Sequence, residues 1–98
     1  MLPSLANATW LGMELTVASY KVGPEPDGSR VYVAFNATAN PEGCTSHDVY
    51  MRINGSTKKG QYHLAMINMA VAMSKHVTVS LSGCDDWGYP VISELNIY

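Results

Sequence analysis

The sequence predicts a β-rich domain whose five strands and single helix follow in the order β-β-β-α-β-β. Three observations predict it. Apolar and polar residues alternate over five separate stretches, one long apolar run stands between the third and the fourth, and turn-forming residues punctuate the junctions. At 98 residues the chain reads as one domain, residues 1–98. A domain of that size buries about 60–70% of its extended-chain surface, enough for one modest core.

Trp10 to Val22 places Leu11, Met13, Leu15 and Val17 on one face and Glu14, Thr16 and Tyr20 on the other, the pattern of a half-buried strand. Gly23-Pro24-Glu25-Pro26-Asp27-Gly28 is a turn by composition. Arg30 to Thr38 alternates again, with Val31, Val33 and Phe35 opposed to Arg30, Tyr32 and Ala34, so the two runs form a hairpin. A loop from Ala39 to His47 carries Pro41, Gly43 and Cys44. Asp48 to Asn54 is the third strand, with Val49, Met51 and Ile53 inward.

Asn54-Gly55-Ser56 breaks that strand, and Ser56 or Thr57 can cap the helix that follows. The helix runs from Ser56 to about Ser74, with Lys75 and His76 suiting the negative pole of its dipole. Within it Leu64, Ala65, Met66, Ile67, Met69, Ala70, Val71, Ala72 and Met73 leave almost no wet face, whereas an ordinary surface helix has one. A membrane span needs about 20 apolar residues, and this run is about half that. Lys58, Lys59 and Lys75 flank it, so no membrane span is expected. Val77 to Ser82 is a fourth strand, with Val77, Val79 and Leu81 inward. Ser82 to Pro90 is a Gly/Asp/Pro loop, and Val91 to Tyr98 closes the series. This connectivity is that of the OB-fold, a five-stranded Greek-key barrel with its helix between strands three and four.

Net charge is −2 and the only adjacent cations are Lys58 and Lys59. Affinity for phosphate backbones is mostly electrostatic, so nucleic acid is not an expected partner. Cys44 and Cys84 both sit beside Gly in polar loops. Paired, they tie the segment before the third strand to the last hairpin, and closing a loop of that length stabilises a fold by about 4 kcal/mol. Two free thiols are the alternative, but buried structural thiols lie in apolar runs and these do not. A disulfide implies an oxidising compartment, secreted or periplasmic. The start Met-Leu-Pro-Ser-Leu-Ala lacks the charged and apolar regions of a signal peptide, so either a leader has been removed or the protein is cytosolic.

No catalytic constellation is expected. Asp85 and Asp86 are adjacent and shape a turn through local hydrogen bonds. His47, His63 and His76 have no zinc-motif spacing, and a metal held by His47, Asp48 and Asp85 is disfavoured, so neither metal nor cofactor is expected. No serine stands in a Gly-x-Ser-x-Gly context. Aromatic residues remain. Trp87 lies with Asp85, Asp86 and Tyr89 in the loop between strands four and five, which OB-folds use to hold oligonucleotides and oligosaccharides. Its indole either stacks on a sugar while the carboxylates accept hydroxyls, or packs over the disulfide and closes the barrel end. Trp10, Tyr20 and Tyr32 are expected to cluster on the outward face of the first hairpin.

The C-terminal half, from Lys59-Gly60 to Tyr98, resembles small bacterial proteins related to the B subunits of subtilase-cytotoxin and pertussis-like AB5 toxins. The features that carry the resemblance are the Ala/Met-rich helix, Ser74-Lys75-His76-Val77-Thr78-Val79, Ser82-Gly83-Cys84, Trp87-Gly88 and the closing strand Val91-Ile92-Ser93-Glu94-Leu95-Asn96-Ile97. The resemblance implies an OB-fold, secretion, a pentameric ring with helices near its axis, and glycan binding as a class. The helix itself points to a homo-oligomer: one sheet cannot cover all its apolar faces, so Leu64, Ile67 and Val71 are expected at a self-interface, in a pentamer or failing that a dimer. The functional expectation is a secreted, self-associating, non-catalytic module that binds a cell-surface glycan. The alternative is an interaction protein whose oligomer binds a protein partner.

Overall fold

The computed structural model describes residues 9–37, 39–46 and 50–98. The expectations that fall on Thr38, His47, Asp48 and Val49 lie outside them. Five strands of five to eight residues, a two-residue strand and one helix follow in the order β1 (Thr9–Trp10), β2 (Val17–Val22), β3 (Arg30–Phe35), β4 (Tyr50–Asn54), α1 (Lys58–Met73), β5 (Val77–Cys84) and β6 (Pro90–Ile97). Hydrogen-bonded neighbours run β1-β5-β6-β4-β3-β2. Pairing is antiparallel except between β4 and β6, which meet in parallel at Arg52 and Val91.

The first expected strand is two strands. Gly12 has a φ of 71°, a left-handed backbone that ends the alternation begun at Trp10. The halves then take different partners. Thr9 pairs with Leu81 on β5, while Val17 pairs with Phe35 on β3. Leu15, between them, makes a single bridge to Val77 and is fully buried, whereas Met13 is exposed rather than inward. β1 and β2 are therefore the two edges of the sheet, and it is not closed into a barrel.

A register shift between Val17 and Ser19 sends Tyr20 toward α1, where its hydroxyl donates to Asn68 Oδ1. Trp10, Tyr20 and Tyr32 accordingly do not cluster.

The core is the layer between α1 and the sheet: Val31, Val33 and Phe35 of β3, Met51 and Ile53 of β4, and Val77, Val79 and Leu81 of β5. These are the positions that period-two alternation selects. From α1 the buried residues are Gly60, His63, Ile67 and Ala70, a single stripe at helical spacing. Thr57 caps the helix, its Oγ1 accepting from Gly60 N, and Ser74 ends it in a left-handed conformation. Gly60 is required here because a Cβ would stand 1.7 Å from the carbonyl oxygen of Asn54.

Ile67 belongs to this core and is 0% exposed, so it has no surface for a neighbouring chain. Leu64 is half-buried against the core edge, and Val71 is 52% exposed. Among the described residues, no helix is long and apolar enough to cross a membrane. A disulfide joins Cys44 to Cys84 and ties the loop before β4 to the end of β5.

Candidate functional site

Alternation along β3 places Arg30, Tyr32 and Ala34 on the face opposite the core, where solvent is the expected neighbour. All three are nevertheless buried. The β5–β6 loop, Asp85 to Tyr89, folds over this face and covers it.

Asp85 builds that loop. Its Oδ1 accepts from Trp87 N at 3.0 Å and from Tyr89 N at 2.8 Å, a side-chain-closed turn of the kind Asp favours. Its backbone adds Asp85 N to Tyr89 O at 2.8 Å and Gly88 N to Asp85 O at 2.9 Å. The disulfide-tethered loop holds the far side. There Ser46 N donates to Gly88 O at 2.9 Å and Ser46 Oγ donates to Trp87 O at 2.8 Å. Gly88 has a φ of 86°, and a Cβ on it would meet Thr45 Oγ1 at 2.2 Å.

Beneath the loop lies a charged and aromatic cluster. Arg30 donates through Nη1 and Nη2 to the two carboxylate oxygens of Asp86, both at 2.9 Å, and through Nε to Glu25 Oε2 at 2.7 Å. Such bidentate pairing fixes the guanidinium plane. Arg30 Nη1 also donates to the Tyr32 hydroxyl at 3.1 Å, which in turn donates to Asp85 Oδ2 at 2.6 Å. Arg52, opposite Tyr32 on β4, donates to Asp85 Oδ2 at 3.3 Å and to Ser29 O at 3.1 Å. The Arg30 guanidinium carbon sits 3.6 Å from the Trp87 ring centroid, a cation–π contact. Tyr32 packs against Tyr89, Trp87 and Tyr50, with ring centroids 4.8 to 6.0 Å apart.

Three protonation states are fixed here. Burial alone would push the Asp85 carboxyl up, but the hydrogen bonds from Tyr32, Tyr89 and Arg52 outweigh it and hold the group below its ordinary value. Burial, reinforced by the Asp85 carboxylate, pushes Tyr32 up to about 12. Arg30 holds Asp86 low as well. Near neutral pH the two aspartates are ionised and Tyr32 is protonated, so this cluster fixes loop geometry and offers no group poised for proton transfer.

The four expected ligand residues therefore divide. The Asp85 side chain is 4% exposed, with each oxygen engaged, and acts by shaping the loop. Asp86 is exposed but shares both oxygens with Arg30. Tyr89 is half-buried among the aromatics. Trp87 remains 48% exposed, with its ring against Arg30 and Tyr32.

Arg30, Tyr50 and Arg52 are the residues that sequence reasoning missed, while Tyr32 was expected on the outward face of the first hairpin but not beneath this loop. Their alternation with Val31, Met51 and Ile53 carried the signal, but that pattern also describes a solvated strand face. Asn54 of the Asn54-Gly55-Ser56 break accepts from Ser56 N and Oγ through Oδ1, a local cap that leads into the helix. Among the described residues, no three His, Cys, Asp or Glu side chains are grouped to hold a metal ion.

The chain matches no protein-family model, and no curated protein or solved structure is detectably similar to it.

Proposed function

We propose that this protein is a non-catalytic, secreted binding module that assembles with copies of itself through α1 and takes a glycan at the Trp87 loop. The observation that carries the reading is the outward face of α1. Tyr62, Met69 and Met73 are 63%, 49% and 58% exposed along one flank of a helix whose inward stripe already covers the core, and Val71 is 52% exposed on the other flank beside Leu64. Soluble chains rarely leave such a face open. Burying each large side chain contributes about 1.5–3 kcal/mol, and identical chains usually satisfy such a face through closed rotational symmetry. A second copy is the occupant, and the resemblance to AB5-type B subunits favours a pentamer over a dimer. Val71, with Leu64 at its margin, belongs to that interface; Ile67 does not.

Two further features support the reading. β1 and β2 are consecutive and lie at opposite edges of the open sheet, with Leu15 between them bridged to Val77 of β5, which suits one bent first strand shared by the two halves of an OB-like sheet. The disulfide suits an oxidising compartment. For ligand binding, the half-exposed Trp87 indole is already immobilised by Arg30 and Asp85, so stacking a sugar on it costs little side-chain entropy.

Light scattering on a size-exclusion column tests the assembly: an oligomer is expected at micromolar concentration, and Val71→Glu should dissociate it without unfolding the domain. A monomeric wild-type protein defeats the self-association reading. A glycan array with Trp87→Ala as control tests the ligand. If the oligomer forms but no glycan binds, the protein-partner alternative replaces the glycan.

A further inference from the structure

A second cleft, on the other side of the molecule's helix–sheet junction, has no part in the Trp87 cluster. It lies between the start of α1 and the facing ends of β5 and β6, holds about 270 Å³, and is lined among others by Thr57, Lys59, Gly60, His63, Ser82 and Ser93.

His63 is the unexplained group. It is 8% exposed, stands one helical turn beyond Lys59 on the stripe of α1 that faces inward, and makes no hydrogen bond with any described residue. Its ring nitrogens are not among the buried polar atoms left without a partner, so what remains exposed of the ring borders the cleft, where a ligand oxygen can take the place of water.

The start of the helix is electropositive and uncompensated. Its first turn contains Lys58 and Lys59 and no acidic residue, the reverse of what the helix dipole favours. Thr57 Oγ1 takes the N–H of Gly60, which leaves the N–H groups of Lys58 and Lys59 to external acceptors. Across the cleft Ser82 adds a hydroxyl. Among the described residues lining the cleft, Lys59 is the only charged side chain facing His63. β4, β5 and β6 contribute the neutral Asn54, Ser82 and Ser93.

We propose that this cleft binds the tetrahedral oxyanion of a phosphate or sulfate group borne by a small ligand. Lys59 neutralises its charge, the first turn of α1 and Ser82 donate to its oxygens, and His63 supplies the innermost N–H. Burial and the neighbouring Lys59 hold free His63 below its ordinary value, so it is neutral near pH 7. A bound anion opposes both effects and raises that value. By linkage, binding tightens as pH falls through the His63 titration.

The test is an NMR titration of the wild-type protein, following backbone amides and imidazole carbons. Sodium sulfate and sodium phosphate are added separately, with sodium chloride at matched ionic strength as reference. Saturable shifts at Lys59, Gly60, His63 and Ser82 are expected, with the His63 titration moving upward. The stronger of the two anions identifies the group. Because sulfate does not itself titrate in this range, its affinity reports the pH dependence directly. Lys59→Gln, a change at an exposed position, should weaken binding about tenfold through loss of a charge-assisted contact. Equal shifts with chloride, shifts that do not saturate, or unchanged affinity in Lys59→Gln overturn the proposal.

Discussion

Replacing Asp85 with Asn removes one charge and leaves the shape of the loop. The retained Oδ1 still accepts from Trp87 and Tyr89, but an NH2 now stands where Oδ2 accepted from the Tyr32 hydroxyl and from Arg52. The Tyr32 hydroxyl and the Arg52 guanidinium then face a third donor. Breaking one partner of a buried ion pair costs about 3–5 kcal/mol, and a lost hydrogen bond to a charged group about 1.5–3 kcal/mol. The upper figure is too large here. Arg30 keeps Asp86 and Glu25, and Arg52 still has Asp86 at 3.6 Å, so neither cation is stranded. About 2–3 kcal/mol is therefore expected, a fall in Tm of about 10–20 °C for a domain of this size. Urea unfolding followed by tryptophan fluorescence at pH 7 measures it.

The pH dependence of that loss is a second check. The folded-state Asp85 lies below its ordinary value, so its contribution is present above the unfolded-state value and lost as pH falls through the folded one. The gap between wild type and Asp85→Asn should be constant from about pH 5 to 8 and shrink below about pH 4. A gap under about 0.5 kcal/mol at pH 7, within the range of ordinary surface changes, would refute the loop-pinning account. So would a gap that does not shrink in acid.

Removing the disulfide with Cys44→Ser and Cys84→Ser together should cost about 4 kcal/mol on the chain-entropy model for a 40-residue separation, measured by the same unfolding assay. Gly60→Ala normally improves a helix by about 1 kcal/mol, but here it should destabilise by about 1–3 kcal/mol because the methyl meets the Asn54 carbonyl; circular dichroism melting gives the sign directly. Ile67→Ala should cost about 2–5 kcal/mol in stability whatever the oligomeric state, since the side chain is wholly within the core.

The turn-shaping role of Asp85 was legible because local chemistry decides it: an Asp two and four residues before N–H groups closes a turn, whereas for Trp87 the loop chemistry left both an exposed and a packed indole open. Arg30, Tyr32 and Arg52 were not legible. Their spacing states only that they lie on the face away from Val31 and Met51; what covers that face comes from residues 85–89, more than fifty positions downstream of Arg30 and Tyr32. The pairing of Arg30 with Asp86 thus belongs to long-range topology, which a local pattern cannot encode.

The same division runs through the fold. Period-two alternation over 30–35, 50–54, 77–84 and 90–97, the Thr57 cap and the apolar run of α1 each arise within a few residues, so the amino-acid sequence by itself determined the strands, the helix and their order. Three things needed the tertiary structure. Gly12 divides the first strand because its halves find different partners, β5 and β3. The shift between Val17 and Ser19 turns Tyr20 to the helix. And of an apolar helix surface, the stripe of Gly60, His63, Ile67 and Ala70 is the part buried against the sheet, with Gly60 allowing the close approach to Asn54 that a Cβ would block.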